Sequence, residues 1–348
     1  MTAGPMTAGP TSDPVALAPR PDGDPASGPV DIGVDVGGTK LAVLVIDHGD
    51  RVVGQRVRPM DAAPATVVVS RIVGAIDEAL GEAGLPRSAI RGVGLAVPGR
   101  VDRTTGRVRH AVNLDWIDEP VGDLLRAALG VPVAVENDVR AAVVGLHRRG
   151  LPLATDDMAY LNVGTGISVG AILGGRLHRG VNGMAGELGH LAVSRDRDVC
   201  RCGLPGCIEA IAAGPAIVER ASVQGRTWPD AGSVFTAAAA GDPVAAGVVQ
   251  RVGRVLALVV HGLVAAYDVN RVVIGGGVTR AGAAFLGPIE VELDRRRAAS
   301  SLAAEMLPPD LVRLVPEDID AGALGVLAIL RDELQAVIGR PTGEVSPA

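Results

Sequence analysis

The stretch ELGHLAVSRDRDVCRCGLPGCIE, residues 187–209, holds every cysteine of the 348-residue chain: Cys200, Cys202 and Cys207. Three thiols in a short Gly/Pro-rich loop, with His190 ten positions upstream of the first, supply the donors of a closed tetrahedral Zn2+ site, and a closed shell is structural, not catalytic. Three buried free thiols are the alternative, but CRCGLPGC reads as loop and would bury poorly. Glu187 and His190, three apart, share a face of one helical turn, and Glu209 follows the last cysteine by two. A loop pinned by zinc would hold Glu187, His190 and Glu209 together, and carboxylates beside an imidazole can recognise a polyol through paired hydrogen bonds to neighbouring hydroxyls. For any one of the three a solvated charged face is the simpler reading, for Glu209 above all.

A second chemistry lies in the glycine turns. The chain has no GxxxxGK(S/T), which excludes a Walker-type nucleotide site. The turn in DVGGTK nevertheless exposes the backbone N–H groups of Gly37 and Gly38 to an anion, with the Thr39 hydroxyl and the Lys40 ammonium beside them. Asp35, at the end of the preceding strand, can hold Mg2+ through water. A sharp hairpin with no ligand is the competing reading until the turn recurs as Gly164, Thr165 and Gly166 in NVGTGI. Two such turns from duplicated halves can face each other across a cleft and grip a polyphosphate. Gly275, Gly276 and Gly277, after a buried strand, leave open backbone for an adenosine, and the three clusters together point to ATP.

In VENDVRAAVVG, Asn137 and Asp138 fall where a strand runs into a helix. Asx residues there are ordinary N-caps. Between phosphate turns and a polyol cluster, Asp138 has a further use: it can take the proton of, or orient, a hydroxyl attacking a γ-phosphoryl group. Asp102, in PGRVDRTTG, is a rival that reads as turn chemistry, and Glu136 is a rival that points away from Asn137 along the strand.

The elements that must carry these residues follow from hydrophobic pattern. Strands are predicted at VDIGVDV, KLAVLVID, RVVGQRVRP, RGVGLAV and VPVAV, then at MAYLNV, ISVGAIL, GRLHRG, RVVIGGG and LVRLV. Helices are predicted over 64–83, near 119–129, over 243–267 and 279–298, and at 319–337. The strand–glycine turn–strand–strand unit occurs twice, so the chain reads as an internal duplication of α/β halves with mixed sheets. The hinge falls near 135–142, and the last helix returns to the first half.

Composition bounds the rest. Lys+Arg 33 against Asp+Glu 39 gives a net charge of −6, which offers no general basic surface for nucleic acid or anionic lipid. Hydrophobic residues reach 48% with only 2% aromatic, so the core is Val, Leu, Ile and Ala. Lys40 is the only lysine. No uninterrupted apolar run is long enough for a membrane helix. The Pro/Gly/Ala-rich start, with its MTAGP repeat, reads as a disordered tail and not a signal peptide. The expected location is the cytoplasm, where a structural disulfide is not expected.

In this order, DVGGTK, VEND, LNVGTGI, GELGH and CRCGLPGCIE resemble the ROK family of bacterial sugar kinases and repressors, its glucokinases most of all. The resemblance implies an actin-like ATPase fold, a duplicated ribonuclease H-like α/β architecture of two lobes with the sugar in the cleft. It implies an N-terminal lobe over 30–136 joined by the helix at 319–337, a C-terminal lobe over 137–318 with a zinc loop at 190–207, and tails at 1–29 and 338–348. ATP phosphates are then expected at Gly37 to Lys40 and Gly164 to Gly166, and Asp138 matches the catalytic base. Asn137, Glu187, His190 and Glu209 match sugar contacts, and His190, Cys200, Cys202 and Cys207 match zinc ligands, so His190 serves both sites. Asn113, in VRHAVNLDW, is a weaker sugar-side candidate.

The chain departs from the family at GTGISVG, where Ser168 and Val169 replace small residues, and after Asp138, where Val139 and Arg140 stand. The activity implied is ATP-dependent phosphorylation of the 6-hydroxyl of glucose or a close analogue, by a homodimer or homotetramer. An aminosugar kinase, such as one acting on kanosamine in antibiotic biosynthesis, is the alternative. A sugar-sensing repressor would carry a helix-turn-helix ahead of the DxGGT turn; the 34 residues before Asp35 are Pro/Gly-rich and do not read as one.

Overall fold

The structure, a computed structural model, describes residues 28–148, 153–194, 198–223, 225–316 and 319–338. The two expected tails therefore fall, for residues 1–27 and 339–348, outside the described residues.

Continuous Val/Ile/Leu/Ala runs bounded by Gly and Asp form the strands. The first sheet is built from Val30–Val36 (β1), Lys40–Ile46 (β2), Val52–Pro59 (β3), Ile90–Val97 (β4) and Val133–Asn137 (β8), in the order β3-β2-β1-β4-β8. Between β4 and β8 lie Arg100–Asp102 (β5), Arg107–Ala111 (β6) and Trp116–Glu119 (β7), a small antiparallel sheet. The second large sheet holds Met158–Val163 (β9), Ile167–Leu173 (β10), Arg176–His178 (β11), Arg271–Gly275 (β12) and Val312–Leu314 (β13), in the order β11-β10-β9-β12-β13. β1 pairs antiparallel with β2 and parallel with β4, and β9 pairs antiparallel with β10 and parallel with β12. The two sheets thus repeat one topology, and the two glycine turns occupy the same hairpin in each.

Helices Ala65–Glu82 (α1) and Val121–Leu129 (α2) bury Val68, Ile72, Ile76 and Leu125 against the first sheet. Asp138–Arg148 (α3) follows β8 directly. The second lobe adds Glu209–Ala212 (α4), Gly214–Ala221 (α5), Ala231–Ala239 (α6), Pro243–Tyr267 (α7), Ala283–Ala299 (α8) and Ser301–Met306 (α9). Asp242 caps α7 by accepting from Val244 N and Ala245 N, both at 3.0 Å. α7 is long and apolar enough to span a membrane by length and composition, but over half of its apolar window is buried, with Leu256, Val260 and Leu263 in the core shared with Phe285 of α8. The helix expected over 279–298 begins later, at Ala283, because Gly282 turns the chain at φ 56° after a short 3-10 turn.

The last helix, Ala321–Ile338 (α10), packs on β1, β4 and β8, while α3 packs on β9 and β10. The two helices also pack on each other, which places the crossing between the sheets. Glycine makes that contact possible: a Cβ at Gly325 would stand 1.6 Å from the Ala141 carbonyl oxygen, and one at Gly145 2.3 Å from that of Ala321.

Candidate active site

β8 passes into α3 with no linker, so Asn137 and Asp138 stand at the junction of the lobes. Asn137 Oδ1 accepts from Arg140 N at 3.0 Å and caps the helix. Its amide donates to the Gly99 carbonyl and to Asp138 Oδ1, both at 3.0 Å, and Val139 N also donates to Asp138 Oδ1 at 2.9 Å. Burial pushes the Asp138 carboxyl up to about 6; the Val139 N–H works against the rise and the neighbouring Glu187 adds to it. A carboxyl so held is ionised at neutral pH yet basic enough to accept a proton.

Asp138 acts electrostatically on Asp35, near the end of β1, which also feels Asp320, just before α10. Burial raises the Asp35 carboxyl well above its ordinary value, Asp320 and Asp138 raise it further, and Lys40 opposes them. Lys40 donates from Nζ to Asp320 Oδ2 at 2.9 Å. Burial works against its charge, but the Asp320 carboxylate prevails and raises its pKa. Asp320 Oδ1 accepts from Ala323 N at 3.2 Å and so caps α10. Asp35 lies against that helix's first turn, where a Cβ at Gly322 would stand 2.7 Å from its Cγ; the positive end of the helix favours a carboxylate there. Two carboxylates beside one ammonium suit a divalent cation, for which Asp35 and Asp320 would be the oxygen donors.

The glycine turns flank this acidic floor. Gly37 N donates to Lys40 O at 2.7 Å to close the first, and Gly38 lies beside Asn113, whose Cβ would be 3.8 Å from a Cβ there. Gly164 N donates to Gly166 O at 3.0 Å to close the second, leaving the Thr165 tip open, and Gly214 N donates to Gly164 O at 2.8 Å. Gly276 backs onto the same turn: its missing Cβ would stand 2.4 Å from Val163 O. Gly275 and Gly277 follow from β12 into the 3-10 turn. The structure thus brings the second glycine turn and the third glycine cluster into contact.

The cysteine loop closes on His190. Cys200 Sγ lies 3.5 Å from His190 Nδ1, and Cys202 Sγ lies 3.7 Å from Cys207 Sγ. All four donor atoms fall within 4.8 Å of one another. A tetrahedron with Zn–S of about 2.3 Å and Zn–N of about 2.0–2.1 Å has S···S edges of about 3.8 Å and N···S edges of about 3.5 Å, so the donor set fits a zinc ion. With Nδ1 on that side, the other ring nitrogen is left for a ligand or solvent. Glu209 is not the solvated carboxylate expected of it alone. Its Oε2 accepts from Ile167 N at 2.9 Å, at the second glycine turn, and its Oε1 lies 3.8 Å from Cys200 Sγ. Glu187 heads the short 3-10 turn Leu188–His190, with His190 N donating to its carbonyl at 3.2 Å. Asn113 meets the loop from the first lobe, accepting from Arg201 Nη1 at 3.3 Å.

The rivals fall into other roles. Asp102 Oδ1 accepts from Thr104 N at 3.1 Å in an Asx turn. Glu136 is fully buried among arginines. Two residues of the site had no place in the sequence reading: Asp320, and Tyr160 in β9, whose buried hydroxyl reaches Asn162 Oδ1 at 3.4 Å. Burial and the surrounding Asp138, Asp35 and Asp320 hold that phenol well above its ordinary pKa. Asp320 was findable as the Asx before a Gly-containing apolar helix; Tyr160 carries no local signal.

The sequence matches the ROK family over residues 31–333. The chain belongs to the ROK family. Among its ROK relatives, the glucokinase of Halalkalibacterium halodurans is 33% identical over 74% of this chain and 83% of its own length. The N-acetylmannosamine kinase of Citrobacter koseri is 33% identical over 71% of this chain and 83% of its own. A crystal structure of a ROK glucokinase from Streptomyces griseus, in complex with glucose and AMPPNP, superposes with a TM-score of 0.74 at 31% identity, covering 87% of this chain and 99% of that one. The fold is accordingly the two-lobed α/β architecture of the actin-like ATPases.

Proposed function

We propose that this ROK chain is an ATP-dependent hexose kinase that phosphorylates glucose or a close analogue at the 6-hydroxyl. One observation carries the reading: Asp138, buried where β8 passes into α3 and held by Asn137 and Val139 N, is pushed up to about 6, with the Glu187 carboxylate adding to the rise. A base there can take the proton of a sugar hydroxyl as its oxygen attacks the γ-phosphorus of ATP and the bond to the β–γ bridging oxygen breaks. Asn137 holds Asp138 in register, and Asn137, Glu187, His190, Glu209 and Asn113 supply sugar contacts. The Gly37 and Gly164 N–H groups close the two turns on themselves, so it is the turn tips at Gly38, Thr39, Thr165 and Gly166, with Lys40, that grip the phosphates, and Gly275 to Gly277 make room for the adenosine. Asp35, with Asp320, would hold the Mg2+ that neutralises charge on the phosphates. His190, Cys200, Cys202 and Cys207 would hold a structural Zn2+ whose loop sets the direction of Glu187 and Glu209.

The similarity to an N-acetylmannosamine kinase favours a second reading, an aminosugar kinase: carboxylates such as Glu187 and Glu209 can accept from the N–H of an acetamido group and equally from the ammonium of a free aminosugar. Coupled ADP-release assays on glucose, mannose, fructose, glucosamine, N-acetylmannosamine and kanosamine decide between them. Glucose should have the highest kcat/KM. A higher value for an aminosugar moves the assignment to the second reading, and ADP release that no hexose stimulates overturns both.

A further inference from the structure

Outside the groups assigned so far, the described residues include a buried polar assembly centred on Glu136, whose side chain is fully buried. Its Oε2 accepts from Arg179 Nε at 2.8 Å and lies 3.4 Å from Arg103 Nε; its Oε1 accepts from Asn137 N at 3.0 Å and lies 3.9 Å from Arg140 Nη1. Three guanidinium groups therefore surround one carboxylate. Arg103 comes from the turn after β5 and also pairs with Glu333 of α10, whereas Arg179 follows β11 in the second lobe. Arg140 is only 4% exposed, and its charge is balanced by Glu136, as a buried cation requires. It donates from Nη2 to two backbone carbonyls, Gly183 O at 2.6 Å and Ala185 O at 3.3 Å.

Those carbonyls belong to the loop that runs from Arg179 to Glu187. That loop has Gly180, Gly183 and Gly186 at positive φ, which leaves it much conformational freedom to lose. Its apolar side chains do not anchor it, since Val181 is fully exposed and Met184 half so. What ties it to the body is polar: Val169 N to Gly186 O at 2.9 Å, and the two bonds from Arg140. Ala185 lies two residues before Glu187, the carboxylate that adds to the rise at Asp138.

We infer that Glu136, Arg140 and Arg179 form a buried clamp that holds the 179–187 loop and so positions Glu187 against the substrate, with Arg140 the positioning residue on which sugar affinity depends. Arg140 touches no reacting atom in this scheme. It acts through the loop whose carbonyls it holds. The sugar half of the inference rests on the hexose-kinase reading; the loop half does not.

The test uses the full chain and two substitutions, Arg140→Met, which keeps the stem and removes the donors, and Arg140→Lys, which keeps the charge and one reach to a carbonyl. Amide hydrogen exchange across 180–187 should speed up at least about tenfold in Arg140→Met and less in Arg140→Lys. In the same Arg140→Met protein the sugar KM should rise at least about tenfold while the ATP KM stays within about twofold, the pattern of a lost ground-state contact; Arg140→Lys should recover part of the difference. Unchanged exchange in the loop overturns the clamp, whatever the activity. Exchange that rises throughout the chain, or two KM values that rise together, also overturns it, because a merely structural arginine would do that. If the parent turns over no hexose, the kinase reading falls and the exchange result still decides the clamp. If Arg140→Met does not fold, Arg140→Lys decides alone: loop exchange and sugar KM both at parental values would refute the inference.

Discussion

Arg201, between two of the cysteines, donates from Nη1 to Asn113 Oδ1 at 3.3 Å, and that bond joins the loop of the second lobe to the first lobe beside Gly38. On the hexose-kinase reading it links the two polar clusters that would close on one substrate. The bond is exposed and engages a neutral amide, so its worth is about 0.5–1 kcal/mol. Arg201→Ala should therefore raise the sugar KM about two- to fivefold with zinc content unchanged, as read by initial rates and metal analysis. Loss of zinc in this variant would show that Arg201 supports the metal loop and not the closure.

Removing a donor from the loop should be far more severe. Cys202 is the exposed thiol of the four-donor set, so Cys202→Ala leaves both sheets and their cores intact. The expected outcome is a protein with less than one tenth of the parental zinc and no measurable sugar binding by calorimetry, yet with nucleotide still bound at the glycine turns. The argument is geometric: Glu209 contacts Cys200 and the second turn, and Glu187 is one 3-10 turn from His190. A zinc-free protein with normal sugar affinity would disprove the structural role.

How much of this was legible in the sequence depends on how local each feature is. β1 and β9 are uninterrupted runs ending in glycine turns, and the cysteines are adjacent in the chain, so strands, duplication and donor set all carry local signals. The three strands around Arg107 were not legible, because segments as short as Arg100–Asp102 with charged alternate residues look like turn. Asp320 pairs with Lys40 across 280 positions, and only the return of α10 onto β1 brings them together. Arg140 could be read as near the sugar end, but its reach to Gly183 and Ala185 depends on a loop conformation set by three glycines.

Lys40 is bonded to Asp320, so the ammonium is positioned before any nucleotide arrives. One charge-assisted contact to a phosphate is worth about 1.5–3 kcal/mol, and backbone donors share the load. Lys40→Ala should raise the ATP KM about tenfold or more with kcat at saturating ATP within about threefold of the parent. The single lysine makes the test clean, because no other ammonium can substitute. A kcat that collapses at saturating ATP would instead make Lys40 part of the transition-state machinery.

Asp138 yields a prediction about stability as well as rate. As the base it must be ionised, so kcat/KM should fall about tenfold per pH unit below about 6 and level off above. Asp138→Asn should reduce turnover at least about a thousandfold while sugar binding persists, since the amide can still hydrogen-bond but cannot take the proton. The same burial that tunes the base also costs stability. A carboxyl whose folded value lies above its ordinary 3.8 is favoured when protonated: the fold loses stability as pH rises from 3.8 through about 6, and the loss is constant beyond. With the value near 6, ionisation costs on the order of 2–3 kcal/mol. Asparagine resembles the protonated form and escapes that cost. Asp138→Asn should accordingly raise the Tm by several degrees at pH 8, and the gain should shrink towards zero as the pH is lowered to about 4. Thermal melts at the two pH values, read beside the rate profile, test both halves on one protein. An inactive variant whose Tm gain over the parent is no larger at pH 8 than at pH 4 would mean that Asp138 is solvated in the free enzyme and acquires its basicity only when the sugar closes over it.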